Sequence, residues 1–209
     1  MKDFLFIHVP KTGGTYIQNT IFYSNNLSTD HSSIKHRGNI SNKTIFTTIR
    51  KPIGFYNSMF NFYKNPNHSI RGQVKNTVND FNDINKFTYT LLTNKEYFKK
   101  HNYNTGYFTY YIKSKNNYGL LTNYYLYFFD YKGGDIDTFF INLKKKVHFL
   151  KQESLKEDTI HFCNKFNIKY NKTKIDQYIN KNEQSQCLDD KTCELIKEKD
   201  YFIYKHFYS

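Results

Sequence analysis

The sequence predicts an α/β fold in which helices flank a central parallel sheet, with residues 1–209 forming a single domain. Three observations carry that expectation. "DFLFIHV" (Asp3–Val9) and "TIFTTI" (Thr44–Ile49) are apolar or β-branched runs of strand length. Each is followed at once by a turn and then by a segment that reads as a helix. A third run, "KVHFLK" (Lys146–Lys151), repeats the pattern, and no internal repeat or linker separates it from the others.

Taken in order, the first strand is nearly continuous in apolar character, and Pro10, which has no N–H for a ladder, ends it. Tyr16, Ile17, Ile21 and Phe22 recur at helical spacing, so a helix is expected from Thr15. Residues 24–43 are polar and rich in Asn, Ser and His, which reads as a long surface connection. Arg50 and Lys51 close the second strand, and Pro52 suits the first turn of a helix running to about Tyr63. Residues 65–130 are aromatic and Asn-rich with little clean periodicity, and helices are expected there over 78–93 and 96–101. "YYLYFFD" (Tyr124–Asp130) fits either a strand or a buried helix segment. "GGDIDTFFINLKK" opens with turn glycines and an Asp cap, then places Ile136, Phe139, Phe140 and Leu143 on one helical face. The third strand leads into a helix opened by a Ser154-x-x-Glu157 capping box. A last helix from about Asp189 carries Leu195, Ile196, Phe202, Ile203 and Phe207.

Lys and Arg outnumber Asp and Glu by 31 to 18, a net charge of +13 that would ordinarily suggest nucleic acid, acidic glycans or a membrane surface as partner. The composition weakens that inference. There is no Ala and no Trp, while Lys, Asn, Ile, Tyr and Phe abound, as an AT-rich coding sequence would produce. The same bias makes arginine informative. Arg37, Arg50 and Arg71 stand alone among 31 basic residues, and an Arg kept where Lys would serve marks a need for a planar, bidentate donor fork. Cys163, Cys187 and Cys193 are odd in number and lack C-x-x-C spacing, which indicates reduced cysteines; no metal is expected. No basic-then-apolar leader precedes Asp3, and no apolar run approaches the ~20 residues that span a bilayer. A soluble, cytoplasmic protein is the expectation.

The turn after the first strand, Pro10-Lys11-Thr12-Gly13-Gly14-Thr15, has the composition of an anion-binding loop. Gly13 and Gly14 allow close backbone approach, Lys11 supplies positive charge, and Thr12 and Thr15 supply hydroxyl donors. Two glycines in a turn are equally compatible with a tight connection and no ligand. The order of residues is more specific. A nucleoside-triphosphate loop reads G-x-x-x-x-G-K-[ST], with Lys after the glycines, whereas Lys11 precedes both. At the second strand-to-helix junction Arg50 ends a strand and Ser58 follows eight residues later. Ligands of open parallel sheets bind outside the carboxyl ends of the strands, so two anion sites could face one crevice.

Together these residues resemble the sulfotransferase superfamily that uses 3′-phosphoadenosine 5′-phosphosulfate (PAPS). "FIHVPKTGGTYI" resembles the phosphosulfate-binding loop of its carbohydrate branch, which includes heparan sulfate 2-O-sulfotransferase, and "TTIRKPIGFYNSMFNFY" resembles that branch's 3′-phosphate segment. "VHFLKQESLKEDTIHF" and "CELIKEKDYFIYKHF" are similar to its later strand-helix unit and closing helix. The resemblance implies a P-loop-like three-layer fold and a sulfotransferase that moves a sulfuryl group from PAPS to an acceptor hydroxyl on a carbohydrate. It implies that Lys11 contacts the 5′-phosphate and the oxygen bridging to sulfur, and that Gly13, Gly14, Thr15 and Tyr16, next to Thr12, hold the phosphosulfate. Arg50 and Ser58 would bind the 3′-phosphate. Lys51 stands where the family often has Asn or Asp, and Gly54 where it often has Arg.

Sulfuryl transfer needs positioning, charge stabilisation and a base for the acceptor proton. In the carbohydrate branch that base is commonly a His about 20 residues before the Arg. His31 lies 19 residues before Arg50 and His36 lies 14 before it, so both are candidates and His31 is preferred. His8 could orient the loop or the acceptor, or serve as a hydrogen-bonded structural residue. Glu153 and Asp200 also fall in the resemblance, yet helix stabilisation explains both. The competing enzyme reading is a P-loop-type nucleotide-dependent kinase, with Tyr124–Asp130 as its Walker B strand; it fails on the position of Lys11. The contrasting class is a non-enzymatic basic nucleic-acid-binding protein, against which the basic and aromatic residues are spread along the whole chain.

Overall fold

Apolar and β-branched residues build three strands, β1 (Asp3–Ile7), β2 (Lys43–Ile49) and β3 (Val147–Lys151). They form a parallel sheet in the order β1-β2-β3, with Leu5 opposite Ile45 and Ile45 opposite Val147. The computed structural model describes residues 3–22, 31–64, 80–100, 106–177 and 187–209, and outside the sheet these are mostly helical. The fold is therefore α/β with a parallel sheet. No helix among the described residues is long and apolar enough to cross a membrane.

The chain divides into two compact units, a sheet unit (Met1–Arg50 and Phe128–Lys181) and a helical unit (Lys51–Tyr127 and Asn182–Ser209). Each is assembled from two separate stretches of chain, which is why no linker is visible in the sequence.

In the sheet unit, β1 runs through a turn into α1 (Gly14–Ile17), which continues as one wider π-type turn over Gln18–Phe22. Of the polar connection before β2, residues 24–30 lie outside the described set, and the described part carries one 3-10 turn, Ile34–His36. Phe6, Ile17, Phe46, Leu150 and Phe162 form the core around the sheet. Thr47, fully buried mid-strand, keeps its hydroxyl satisfied by donating to Ile7 O at 2.7 Å.

The helical unit comprises α2 (Pro52–Lys64), α3 (Ile84–Thr93), α4 (Lys95–Lys100), α5 (Gly106–Lys113) and α6 (Leu120–Phe128), with two further helices near the C-terminus. Aromatic rings fill its interior: Phe60 meets Phe87 at 5.4 Å between centroids, and Phe81 meets Phe87 at 5.6 Å. Such edge and tilted contacts replace the aliphatic periodicity that residues 80–127 lack. Asp83 caps α3 by accepting from the N–H groups of Asn85 and Lys86, so that helix begins at Ile84, later than the expected 78. Residues 65–79 lie outside the described set. The rings are turned inward: among the described residues, Tyr89 and Tyr201 are the exposed aromatic side chains.

Back in the sheet unit, Asp135 caps α7 (Ile136–Lys146) through Thr138 N–H, as expected. β3 is followed by α8 (Leu155–Phe166) and α9 (Lys172–Gln177). The capping box expected at α8 does not form. Ser154 Oγ donates to Asp158 Oδ1 at 3.0 Å, and Asp158 Oδ2 accepts from Lys151 N–H at 2.7 Å, so the acidic partner sits one residue beyond Glu157.

In the helical unit the expected last helix is broken into α10 (Asp190–Lys199) and α11 (Tyr201–Phe207). Asp200, at the break, is fully buried, and its carboxylate accepts from Tyr56 OH, Thr122 N–H and Thr122 Oγ–H, each at 2.7 Å. Tyr56 OH in turn accepts from Leu120 N–H at 2.9 Å. Asp200 thus serves the first turn of α6, where helix N–H groups have no intrahelical partner.

Candidate functional site in the sheet unit

The strand ends at Ile7, and the next six residues carry the chain from β1 into α1. Two of them hold positive φ: Lys11 at 64° and Gly13 at 108°. Left-handed backbone costs a non-glycine residue about 1 kcal/mol, so Lys11 is held there by its surroundings. Thr12 supplies the clamp. Its side chain is fully buried, its hydroxyl donates to Val9 O at 2.7 Å, and it lies 2.7 Å from the hydroxyl of Thr48 on β2. The Thr12 hydroxyl therefore fastens the loop to the neighbouring strand.

The glycines are required from beneath. A methyl group on Gly14 would lie 1.9 Å from His8 Nε2, and one on Gly13 would lie 2.1 Å from Gln152 Oε1. His8 leaves the carboxyl end of β1 and Gln152 leaves that of β3, so the loop rests on side chains from two strand ends. Thr15 is exposed at the start of α1. Tyr16 is turned into the core, its hydroxyl donating to Ile175 O at 3.2 Å and its N–H to Gly13 O at 3.0 Å. Within this loop, Thr15 carries the exposed side-chain hydroxyl, while those of Thr12 and Tyr16 bond inside the protein.

Arg50 follows β2 directly, and its Nη1 makes a long 3.5 Å contact with Lys11 O. Burial first, and the Arg50 guanidinium second, lower the Lys11 pKa to about 8. Two cations are thus gathered at the carboxyl ends of adjacent parallel strands, an arrangement that an anion would relieve.

The two candidate bases are placed differently. His31 lies over His8, with ring centroids 4.0 Å apart, and its Nδ1 is 3.1 Å from His8 O. A carbonyl oxygen only accepts, so that bond assigns the proton to Nδ1 and the lone pair of the neutral ring to Nε2. His36 is exposed at the end of the 3-10 turn. The structure brings His31 to the loop through His8.

Ser58 is 7% exposed on α2 of the helical unit, whereas Arg50 ends the first stretch of the sheet unit. Tyr124–Phe128 is helical, and Asp130 follows in a turn with φ 56° and an ion pair to Lys132 at 2.8 Å. That removes the Walker B strand of the kinase reading. Among the described residues no group of three or more His, Cys, Asp or Glu could hold a metal ion. A cavity of about 320 Å³ lined by His148, Leu150, Asp158, His161, Phe162 and Lys165 draws none of its lining from the loop.

Gln152 and Thr48 were missed in the sequence. The signal for Gln152 was its place just after the third strand, at the same sheet edge as Lys11 and Arg50. Thr48 carried none, since a strand threonine reads as β propensity alone. No family model, curated protein or solved structure matches the chain.

Proposed function

We propose that this protein is a PAPS-dependent sulfotransferase of P-loop-like fold, acting on a hydroxyl acceptor of the carbohydrate class. The observation that carries the reading is the convergence of Lys11 and Arg50 at adjacent strand ends, on a loop whose left-handed Lys11 precedes its glycines. A lysine after the glycines would favour a nucleoside triphosphate; one before them, beside an arginine, favours the phosphosulfate of the resembling family. The inward-turned aromatic rings weigh against a single-stranded nucleic-acid platform, which needs exposed stacking faces.

In this reading the acceptor oxygen bonds to sulfur while the bond from sulfur to the 5′-phosphate oxygen breaks. The acceptor proton passes to Nε2 of His31, and 3′,5′-ADP leaves. Lys11 stabilises the charge that grows on the departing oxygen, and at neutral pH a pKa of about 8 keeps it largely protonated. Arg50 holds the 3′-phosphate.

Titration calorimetry tests the reading. 3′,5′-ADP is expected to bind well, with ATP and 5′-AMP much weaker. Removing one charge-assisted contact by Arg50→Ala or Lys11→Ala should weaken 3′,5′-ADP about 10- to 100-fold. Equal binding of ATP with Mg²⁺, together with no effect of Arg50→Ala, would sink the proposal. Transfer that survives both His31→Ala and His36→Ala would overturn the base assignment.

A further inference from the structure

His8 occupies the junction between the loop and the preferred base. It is 6% exposed, immediately after β1, and its ring stacks on Phe6 at 5.5 Å between centroids and meets the tilted ring of His31 at 4.0 Å. The ring edge formed by Cδ2, Nε2 and Cε1 faces Gly14 so closely that a methyl group there would lie 1.9 to 2.7 Å from those atoms. Its backbone oxygen receives the Nδ1 proton of His31 at 3.1 Å. One residue therefore meets the loop glycine with its ring edge, and His31 with both its ring face and its carbonyl.

We propose that His8 is the positioning residue of this site, setting the height of the loop at Gly14 and holding His31 as the Nδ1–H tautomer with Nε2 as acceptor. The purpose of that arrangement rests on the transferase reading, since a base for an acceptor hydroxyl must present a lone pair and be fixed in direction. The geometry itself rests on His8, Gly14 and His31 alone. A side chain that only filled the core would leave the tautomer of a neighbouring ring unaffected, and that distinction makes the role measurable.

The test is two-bond ¹H–¹⁵N correlation of the imidazole rings in the full-length protein, in mildly alkaline buffer, with the His31 signals assigned by their loss in His31→Gln. Wild-type His31 is expected as the Nδ1–H tautomer. His8→Gln removes the ring face, and Gly14→Ala drives a methyl group into the ring edge while leaving both histidines intact. Each should lower the Nδ1–H fraction of His31 by about twofold or more, because a ring released from its support samples the other tautomer.

A wild-type His31 in the Nε2–H tautomer overturns the proposal, and this holds even if a variant fails to fold. So does a tautomer unchanged in both folded variants. Calorimetry with 3′,5′-ADP on the same wild-type sample separates the two readings. If the nucleotide does not bind while the tautomer follows His8, the transferase reading fails and the hold of His8 on His31 stands. If the nucleotide binds and the tautomer ignores His8, the positioning role fails alone.

Discussion

Gly13 holds φ 108°, and a side chain there would meet Gln152 Oε1 at 2.1 Å and Leu155 Cδ2 at 2.7 Å. Two separate penalties therefore protect it, one of backbone and one of contact. Gly14 carries only the second, since its φ is not positive and its neighbour is the ring of His8. The difference gives a double-mutant prediction. Gly13→Ala should destabilise the protein, and adding Gln152→Ala should recover only the Gln152 share of the contact, leaving the Leu155 contact and about 1–2 kcal/mol for the left-handed alanine. Urea denaturation of the two single variants and the double variant measures this. Full recovery in the double variant would show that Gln152 alone dictates glycine at that position. Lys11, at φ 64°, bears the same backbone cost without being glycine. The anchored Thr12 beside it holds that conformation.

At the scale of elements, what depends on neighbouring residues was legible and what depends on distant ones was not. β1, β2, β3 and α2 announced themselves through apolar runs and Pro52, and α7 through its Asp135 cap, all of which are local signals. The order of the loop residues was equally local, so Lys11 and the two glycines could be singled out. The helical state of Tyr124–Phe128 could not, because a short apolar run suits either state. The first turn of α6 is served by Tyr56 and by Asp200, which accepts from Thr122, 78 residues earlier in the chain. The contacts of His8 with His31, and of Gln152 with Gly13, required knowing which strand ends lie together. The start of α8 shows how narrow the margin is even locally, since the pattern pointed to Glu157 and the bonds go to Asp158. Asp158→Ala should therefore cost about 1 kcal/mol by loss of its bonds to Lys151 N–H and Ser154 Oγ–H. Glu157→Ala should stay within about 0.5 kcal/mol. Denaturation midpoints in the reverse order would restore the capping box.

For the molecule as a whole, buried titrating groups set how stability follows pH. Asp200 is pushed up to about 6 by burial, against the pull of its bonds from Thr122 and Tyr56, from an ordinary value of 3.8. Between about pH 4 and pH 6 the folded state then binds more protons than the unfolded chain, so this group's contribution to stability falls as pH rises. Lys11 and Lys95 are each lowered from 10.5 to about 8, by burial first and by Arg50 and Lys199 respectively. There the unfolded chain binds the extra protons, so their contribution rises with pH above about 8. Cys163, raised by burial from 9.0 to about 12, opposes that gain from about pH 9, as do the buried Tyr56 and Tyr111 hydroxyls at higher pH. Asp200→Asn isolates the acid side. An amide in place of the carboxylate turns an NH₂ toward one of the donors that Asp200 now receives, so the variant should be less stable by about 1–3 kcal/mol. That deficit should narrow as pH rises from about 4 to 6, because only the wild type loses stability there. A deficit that widened with pH would mean that the three donated hydrogen bonds outweigh burial and hold the carboxylate as a stabilised ion.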